Sequence, residues 1–513
     1  MKTSSLKGIL IPRCLRRGAL LYFSLVMGNF KSFKREGVEQ MKHMKMGLWV
    51  IFICLSLNTA WAAKPNILFL LSDDHSAPFL GAYGNEDVRT PNLDELASEG
   101  IRFDRMFATS PSCVPARVGL MTGRSPIAVR MGRFTSPLPA DIVALPDLLR
   151  ERGGYFVGVG GREYHLDGPP TSSAPEVGGI LDQYNLRTFD DRMDYVQRAR
   201  LGPSASLAAF LDVAPTGKPW FFWLNFDSPH HPWNQMGLLG MPDASKLTVP
   251  GYLPNFPGVR EDLAKYIAEI EYLDVAIRDV LALLSQRGLS KNTVVVFMGD
   301  NGMAFPHGKG TLYDPGVNVP LLVRWPGVIF PGRVTKELVS GEDFAPTMLE
   351  IAGVNPPEEM TGVSFLKLLK GNPAFNGRRY VFSSRTTHGG DGNMSPNIST
   401  ANFDLARAVR SANYKLIYNT TPHQPVAPPD SYLEPSWVEM KSAFAAGALQ
   451  SKFVKAYFTK PRPTYELYKL DTDPNELTNL SGNPQYAQIL LGLKKALTEK
   501  MVLDWDYLPT PLK

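Results

Sequence analysis

The sequence predicts an α/β fold: a large, mainly parallel sheet flanked by helices, followed by a smaller α+β region with an antiparallel sheet. Three observations carry this. Apolar runs without alternation recur along residues 63–375, as strands buried on both faces require. Helical patterns fall between them. Polar residues follow the runs at their ends, where open α/β sheets place their sites.

In chain order, residues 1–62 come first and read as a signal region. Lys42 and Lys45 precede the apolar run Leu48–Leu57 and then Ala60-Trp61-Ala62, a secretory signal with an A-x-A cleavage site. The mature chain then begins near Ala63, and translation starting at Met41, Met44 or Met46 fits the same pattern. This run and the earlier patch Ala19–Met27 are both too short for a span of about 20 residues, so no stable membrane insertion is expected. The reading implies a periplasmic or secreted protein.

Asn66–Ser72 reads as a buried strand that delivers Asp73-Asp74-His75 at its C-terminal end. Pro91–Glu99 reads as a helix capped by Thr90, with Leu93, Leu96 and Ala97 on one face. Further strands are expected at Tyr155–Val159, Trp220–Phe226, Thr293–Met298 and Val319–Trp325, and helices at Ile142–Arg152 and Glu261–Gln286. Past residue 375 the texture changes. Ser384–Thr400, rich in Gly, Ser, Thr and Asn, reads as a surface loop. Ala406–Arg410 and Tyr414–Tyr418 read as hairpin strands around Ser411-Ala412-Asn413. Tyr465–Tyr468 reads as another strand and Gln485–Met501 as a helix. Residues 63–375 are thus expected to form the catalytic domain and 376–513 a C-terminal α+β subdomain.

A length of 513 residues, 44% hydrophobic and 20% charged, suits a soluble globular enzyme with room for two domains. The net charge of +5 is misleading. Residues 1–62 hold ten Lys and Arg against two Glu, leaving 44 basic and 47 acidic residues in the remainder, net −3. That balance speaks against nucleic acid as a partner, which needs a basic face. Of the three cysteines, Cys14 and Cys54 fall in the removed region, so Cys113 stands alone and no intramolecular disulfide can form. A solitary thiol in an oxidising compartment is buried, modified or used.

The surroundings of Cys113 favour use. In Ser110-Pro111-Ser112-Cys113-Val114-Pro115-Ala116-Arg117, Pro115 suits a first helical turn, which puts Cys113 at a helix N-terminus. Unpaired N–H groups and the helix dipole favour an anion there, and Arg117 adds a fixed charge one turn on. Asp73, Asp74, Asp300 and Asn301, brought by two strands, are all oxygen donors. Singly they read as turns after strands. Together they suit calcium or magnesium and lack the sulfur and imidazole expected of zinc.

The C-x-P-x-R pattern, the Asp73-Asp74 pair and Asp300-Asn301-Gly302 together resemble the type I sulfatases of the alkaline phosphatase superfamily. The resemblance runs from about Lys64 to Pro326, with weaker echoes beyond. It implies that Cys113 is oxidised to formylglycine by a formylglycine-generating or sulfatase-maturating enzyme and becomes the nucleophile, with Arg117 supporting it. It implies Ca2+ held by Asp73, Asp74, Asp300, Asn301 and the converted Cys113. Ala116 departs from the serine or other small residue usual at its position. Ser228-Pro229-His230-His231-Pro232 matches an H-x-P signature best at His230. Gly160-Gly161-Arg162-Glu163-Tyr164-His165 resembles a G-K-x-x-H segment with Arg162 replacing lysine. His307–Gly316 aligns Lys309 with the family's second sulfate-binding cation.

Sulfate transfer spreads negative charge over three oxygens, so fixed cations should supply much of the stabilisation; the implied set is Arg117, Arg162, Lys309 and the metal. His230 is then the candidate general acid on the leaving oxygen. His165 is the candidate group that takes the proton when the sulfated hydrate collapses. These two roles can be exchanged, and His231 competes with His230. Asp300–Pro306 and Leu312–Gly316 look closest to the heparan N-sulfatase (sulfamidase) branch and to bacterial polysaccharide sulfatases. The implied substrate is a sulfated carbohydrate, with O- or N-sulfate left open. Trp233, Trp437 and Arg385–His388 are candidate sugar contacts, with packing or loop roles favoured for any one of them. Two rival readings are a phosphonate or phosphate diesterase of the same superfamily and a non-catalytic glycan-binding protein. The completeness of the residue set argues against the second.

Overall fold

The computed structural model describes residues 64–132, 137–162, 166, 175–197, 199–387, 403–424 and 427–512. The signal region and its cleavage site lie outside them, as does His165. Among the described residues nine strands precede residue 325: β1 (Asn66–Ser72), β2 (Ile101–Phe103), β3 (Met106–Phe107), β4 (Phe156–Gly161), β5 (Tyr195–Val196), β6 (Trp220–Asn225), β7 (Thr293–Gly299), β8 (Asn318–Val319) and β9 (Leu321–Arg324). They are followed by β10 (Arg333–Thr335) and β11 (Val339–Ser340). Eight of them form one sheet in the order β10-β2-β9-β7-β1-β6-β4-β5. β7, β1, β6, β4 and β5 run parallel, while β9 runs against both β7 and β2. Helices cover both faces of this sheet.

The unbroken apolar runs follow from this two-sided burial. Ile67, Phe69 and Leu71 of β1 join one core, while Leu68 and Leu70 join the other. β7 divides in the same way, with Val294, Val296 and Met298 against Val295 and Phe297. Each fully buried side chain contributes about 1.5–3 kcal/mol, so both faces must stay apolar. The helix Pro257–Gln286 covers one face through Tyr266, Ile267, Ile270 and Ile277. Cys113–Thr122, Leu145–Glu151 and Phe344–Ile351 cover the other.

The expected strand Val319–Trp325 is divided. Val319 belongs to β8, which pairs with β3 in a separate three-stranded sheet, and β9 begins after Pro320, which has no N–H to donate. The expected Thr90 cap is also corrected. The helix does start at Pro91, but the Thr90 hydroxyl donates to Asp94 Oδ1 at 3.1 Å, accepts from the Gly81 N–H at 2.9 Å and caps none of this helix's N–H groups. Its work falls to Asp274 of the long helix, whose carboxylate accepts from the Leu93 N–H at 2.8 Å and the Asn92 N–H at 3.2 Å.

The C-terminal sheet comprises β12 (Val381–Thr387), β13 (Phe403–Arg410), β14 (Tyr414–Asn419) and β15 (Tyr465–Lys469), antiparallel and in sequence order. Alternation sorts its faces. Val409, Leu416 and Leu467 pack on Leu493, Leu497 and Met501 of the helix Ala487–Leu503. Ala406, Ala408 and Ile417 pack instead on Phe107, Leu312 and Val317 near the large sheet. The expected loop Ser384–Thr400 is overturned at its start, because Ser384–Thr387 is strand and the Ser384 N–H donates to Thr109 O at 2.9 Å. No helix among the described residues is long and apolar enough to cross a membrane.

Candidate active site

Strand register assembles the site. Ser72 of β1 pairs with Gly299 of β7, Leu71 with Asn225 of β6, and Asn225 with Gly161 of β4. The residues one step on, Asp73, Asp300 and Arg162, therefore emerge at one edge of the sheet. Cys113 opens its helix behind an extended Ser112, and its Sγ lies 3.2 Å from Asp73 Oδ1. Arg117, one turn on and fully buried, ties the strand ends together. Its Nε donates to Asp300 Oδ2 at 2.9 Å, Nη2 to Asp73 Oδ2 at 2.8 Å and Nη1 to Asn225 Oδ1 at 3.1 Å. A rigid guanidinium fork suits such a buried, multiply bonded position better than an ammonium would.

The other cations converge on the same carboxylates. Arg162 pairs with Asp73 and, at 3.1 Å, with Asp227. Lys309 Nζ lies 2.8 Å from Asp74 Oδ1 and 2.9 Å from Oδ2, and also pairs with Asp430. His230 Nε2 is 3.7 Å from both Asp74 Oδ2 and Asp430 Oδ2. His231 points elsewhere, with Nε2 2.9 Å from Glu434 Oε1. Asp74 sits in the left-handed region at φ 61°, held by Tyr266, whose hydroxyl donates to Asp74 O at 2.9 Å, and by Asp300 Oδ1, which accepts from the Asp74 N–H at 3.1 Å. A non-glycine residue in that region is a strained one, and such strain collects at functional sites.

Burial and charge shift the groups nearest Cys113. Burial alone would raise Asp73, but Arg162 and then Arg117 hold it well below the usual carboxylate range. Burial lifts Asp74 to about 7 against the pull of Lys309. Burial and then Asp73 lift Asp300 to about 6 against Arg117. Burial and then Lys309 push His230 down to about 4. The Cys113 thiol is pushed well above its ordinary value by burial and then by Asp73. A helix N-terminus favours the thiolate, yet here these two effects outweigh it.

These residues fit a cation. Ligand atoms of Asp73, Asp74, Cys113 and His230 all lie within 4.8 Å of one another. Asn301 donates through Nδ2 to Asp74 Oδ1 at 2.8 Å and to Gly302 O at 2.9 Å, while its buried Oδ1 has no hydrogen-bond partner. Leaving a buried acceptor unsatisfied costs about 1–3 kcal/mol, a cost that a hard cation removes. The same cation would offset the burial, and then the neighbouring negative charge, that lift Asp74 and Asp300.

Sequence reasoning missed Asn225, Asp227, Asp430, Glu434 and Tyr266. Asn225 carried a signal, as the one polar residue ending the apolar run Trp220–Asn225. Asp430, after Pro428-Pro429 in a loop, carried none. Among the candidate sugar contacts, the favoured packing role holds for the two tryptophans. Trp233 is buried, stacks on Phe305 and donates to Pro229 O at 3.1 Å, and Trp437 is buried against Phe458. Arg385 is buried on Asp404, and His388 lies outside the described residues.

Carboxylates and fixed cations gather at the carboxyl edge of the sheet, where open α/β folds place their active sites. Comparison with known proteins narrows the class. The sulfatase family model matches residues 65–354, more than half of the sequence, and the chain belongs to that family, whose members hydrolyse sulfate esters. A second model, described as N-sulphoglucosamine sulphohydrolase, C-terminal, matches residues 305–424. An ulvan-active sulfatase of Formosa agariphila is 29% identical over 479 residues, covering 85% of this chain and 74% of that protein. The N-sulphoglucosamine sulphohydrolase of Homo sapiens is 28% identical over 497 residues, covering 87% and 92%. A structure solved in complex with its substrate, D-glucosamine-2-N,6-O-disulfate, shares the fold at a TM-score of 0.60 and 19% identity. It covers 88% of this chain and 100% of that one.

Proposed function

We propose that this sulfatase removes sulfate from a sulfated carbohydrate, with a nucleophile derived from Cys113 and a calcium ion held by Asp73, Asp74, Asp300 and Asn301. One observation carries the reading: Cys113 begins a helix against Asp73, inside a ring of Arg117, Arg162 and Lys309. Carbohydrate as the substrate rests on the relatives, named for ulvan and N-sulphoglucosamine. When present, formylglycine at residue 113 supplies a hydrated aldehyde as nucleophile, and calcium polarises the bound sulfate.

The chain's own residues do the rest. Arg117 fixes Asp73 and Asp300 and adds positive charge beside residue 113. Arg162 and Lys309 hold sulfate oxygens as charge grows on them. His230 protonates the leaving atom. A neutral imidazole cannot donate that proton, and with its pKa at about 4 the free His230 is neutral near pH 7. An anionic sulfate beside His230 favours the imidazolium, against the burial and then the Lys309 charge that depress it, and the proposal has His230 protonated in the substrate complex. His165 is assigned the return of residue 113 to aldehyde, and His231 a secondary role in binding.

Export through the residue 41–62 signal and conversion of Cys113 by a maturation enzyme complete the proposal. In it residues 63–375 are the catalytic domain, and 376–513 a subdomain contributing Asp430 and Glu434. N-sulfate rather than O-sulfate is the second reading, favoured by the match at 305–424.

Leaving-group dependence tests this assignment. A sugar hydroxyl leaves poorly without a proton, whereas nitrophenolate leaves readily. His230→Ala is expected to slow hydrolysis of a sugar sulfate by roughly 10²–10⁴-fold while sparing nitrophenyl sulfate. His231→Ala should show no such selectivity. Equal losses on both substrates would make His230 a sulfate ligand and shift the acid to His231 or His165. Preference for a phosphonate or phosphate diester over every sulfate tried would overturn the substrate class, and absence of turnover on all of them would favour a binding protein.

A further inference from the structure

We infer that Lys415, paired with Glu476, is a positioning residue for Lys309: it fastens from the C-terminal sheet the loop that presents the sulfate-holding ammonium. The inference rests on the proposed role of Lys309 and extends it to a residue far from the pocket in sequence.

The loop Gly302–Gly316 runs from the metal-site residue Asn301 to the short helix Asp314–Val317. Internally it is tight. The Lys309 N–H donates to Met303 O at 2.7 Å, and the Gly302 N–H to Gly316 O at 2.9 Å. A Cβ on Gly308 would meet Met303 O at 2.1 Å, so the turn admits only glycine. The Gly310 N–H donates to Pro111 O at 2.8 Å, joining the loop to the segment that carries Cys113.

Its outer edge is held by the C-terminal sheet and the turn that follows β15. Lys415 of β14, buried to 1% exposure, donates to Leu312 O at 3.1 Å, pairs with Asp314 and lies 2.8 Å from Glu476 Oε1. Glu476, fully buried, accepts from the Asp314 N–H. Arg410 of β13 binds Asp314 at 3.0 Å and Arg385 of β12 donates to Gly310 O at 3.0 Å. His307 stacks on Tyr313 at 3.7 Å and hydrogen-bonds Asn475 O at 3.0 Å.

Buried ion pairs gain little net stability over apolar packing, and their best-attested use is fixing register. A four-charge cluster under a loop bearing an essential cation fits that use. A misplacement of about 1 Å at a reacting group can cost about 10²-fold in rate, which sets the expected size of the effect.

The test is a double-mutant cycle on one sulfated substrate, using Lys415→Met, Lys309→Ala and both together, with melting curves for each. Lys415→Met is expected to lower kcat/KM by about 10²-fold, and Lys415→Arg to recover most of it. In the Lys309→Ala background Lys415→Met should add almost nothing, because the group it positions is gone. A merely structural lysine would lower activity by the same factor in both backgrounds, and that result overturns the inference, as does full activity of Lys415→Met. Should Lys415→Met not fold, Glu476→Gln takes its place in the cycle, with the same outcomes. Wild-type activity of Lys309→Ala alone would instead refute the sulfate-holding role of Lys309, a failure visible in that single variant, and the inference would fall with it.

Discussion

Exhaustive chelation is expected to abolish sulfate ester hydrolysis, with calcium restoring it and zinc failing to do so. The argument starts from Asn301 Oδ1, a buried acceptor without a hydrogen-bond partner, and from Asp74 and Asp300, lifted to about 7 and about 6 by burial. The four residues assigned to the cation, Asp73, Asp74, Asp300 and Asn301, offer only oxygen and so favour a hard cation over zinc, although the Cys113 thiol and the His230 imidazole lie beside them and zinc takes sulfur and nitrogen readily. Calcium should also stabilise the fold, by about 2.7 kcal/mol at a free concentration of 100 times its Kd, so melting curves with and without calcium give a readout independent of turnover. Asn301→Ala should shrink that shift. Full activity in a demonstrably metal-free sample would remove the metal from the account.

Replacing Cys113 by alanine is expected to remove turnover while leaving the melting temperature close to that of the parent. The side chain is 1% exposed, begins a helix and loses one atom in the change. Alanine is the strongest helix former, so the local backbone has no reason to move. Arg117 keeps its bonds to Asp73, Asp300 and Asn225, and the cationic ring survives. Removing a catalytic nucleophile elsewhere costs on the order of 10⁶-fold in kcat, and a loss of that order is expected. A variant that retained substantial hydrolysis would exclude residue 113 as the source of the nucleophile.

Much of this was legible in the sequence because parallel strands buried on both faces leave an unmistakable apolar run. β1, β4, β6 and β7 were readable for that reason, and the polar residues behind them pointed to the site. Strand direction was not readable. The β9 run looks like its neighbours, yet it is antiparallel, since periodicity carries no polarity. Capping across elements was equally hidden. The sequence around Thr90 suggested a local cap, while the carboxylate that accepts those N–H groups is Asp274, on another helix. The H-x-P match favoured His230 over its neighbour but left His231 in competition. The fold turns His230 toward Asp74 and His231 toward Glu434. Asp430 was beyond reach because its meeting with Lys309 depends on how the C-terminal chain packs.

The Cys113 thiol, held in its neutral form by burial and then by Asp73, is a poor nucleophile as it stands, so the account turns on its chemical conversion. Mass spectrometry of the peptide spanning Ser110–Arg117, from protein produced alongside a maturation enzyme, tests this most directly. The predicted spectrum shows residue 113 without its sulfur and with an aldehyde oxygen in its place, and the converted fraction should track specific activity across preparations. Fully active protein whose peptide carries only unmodified cysteine would contradict the account.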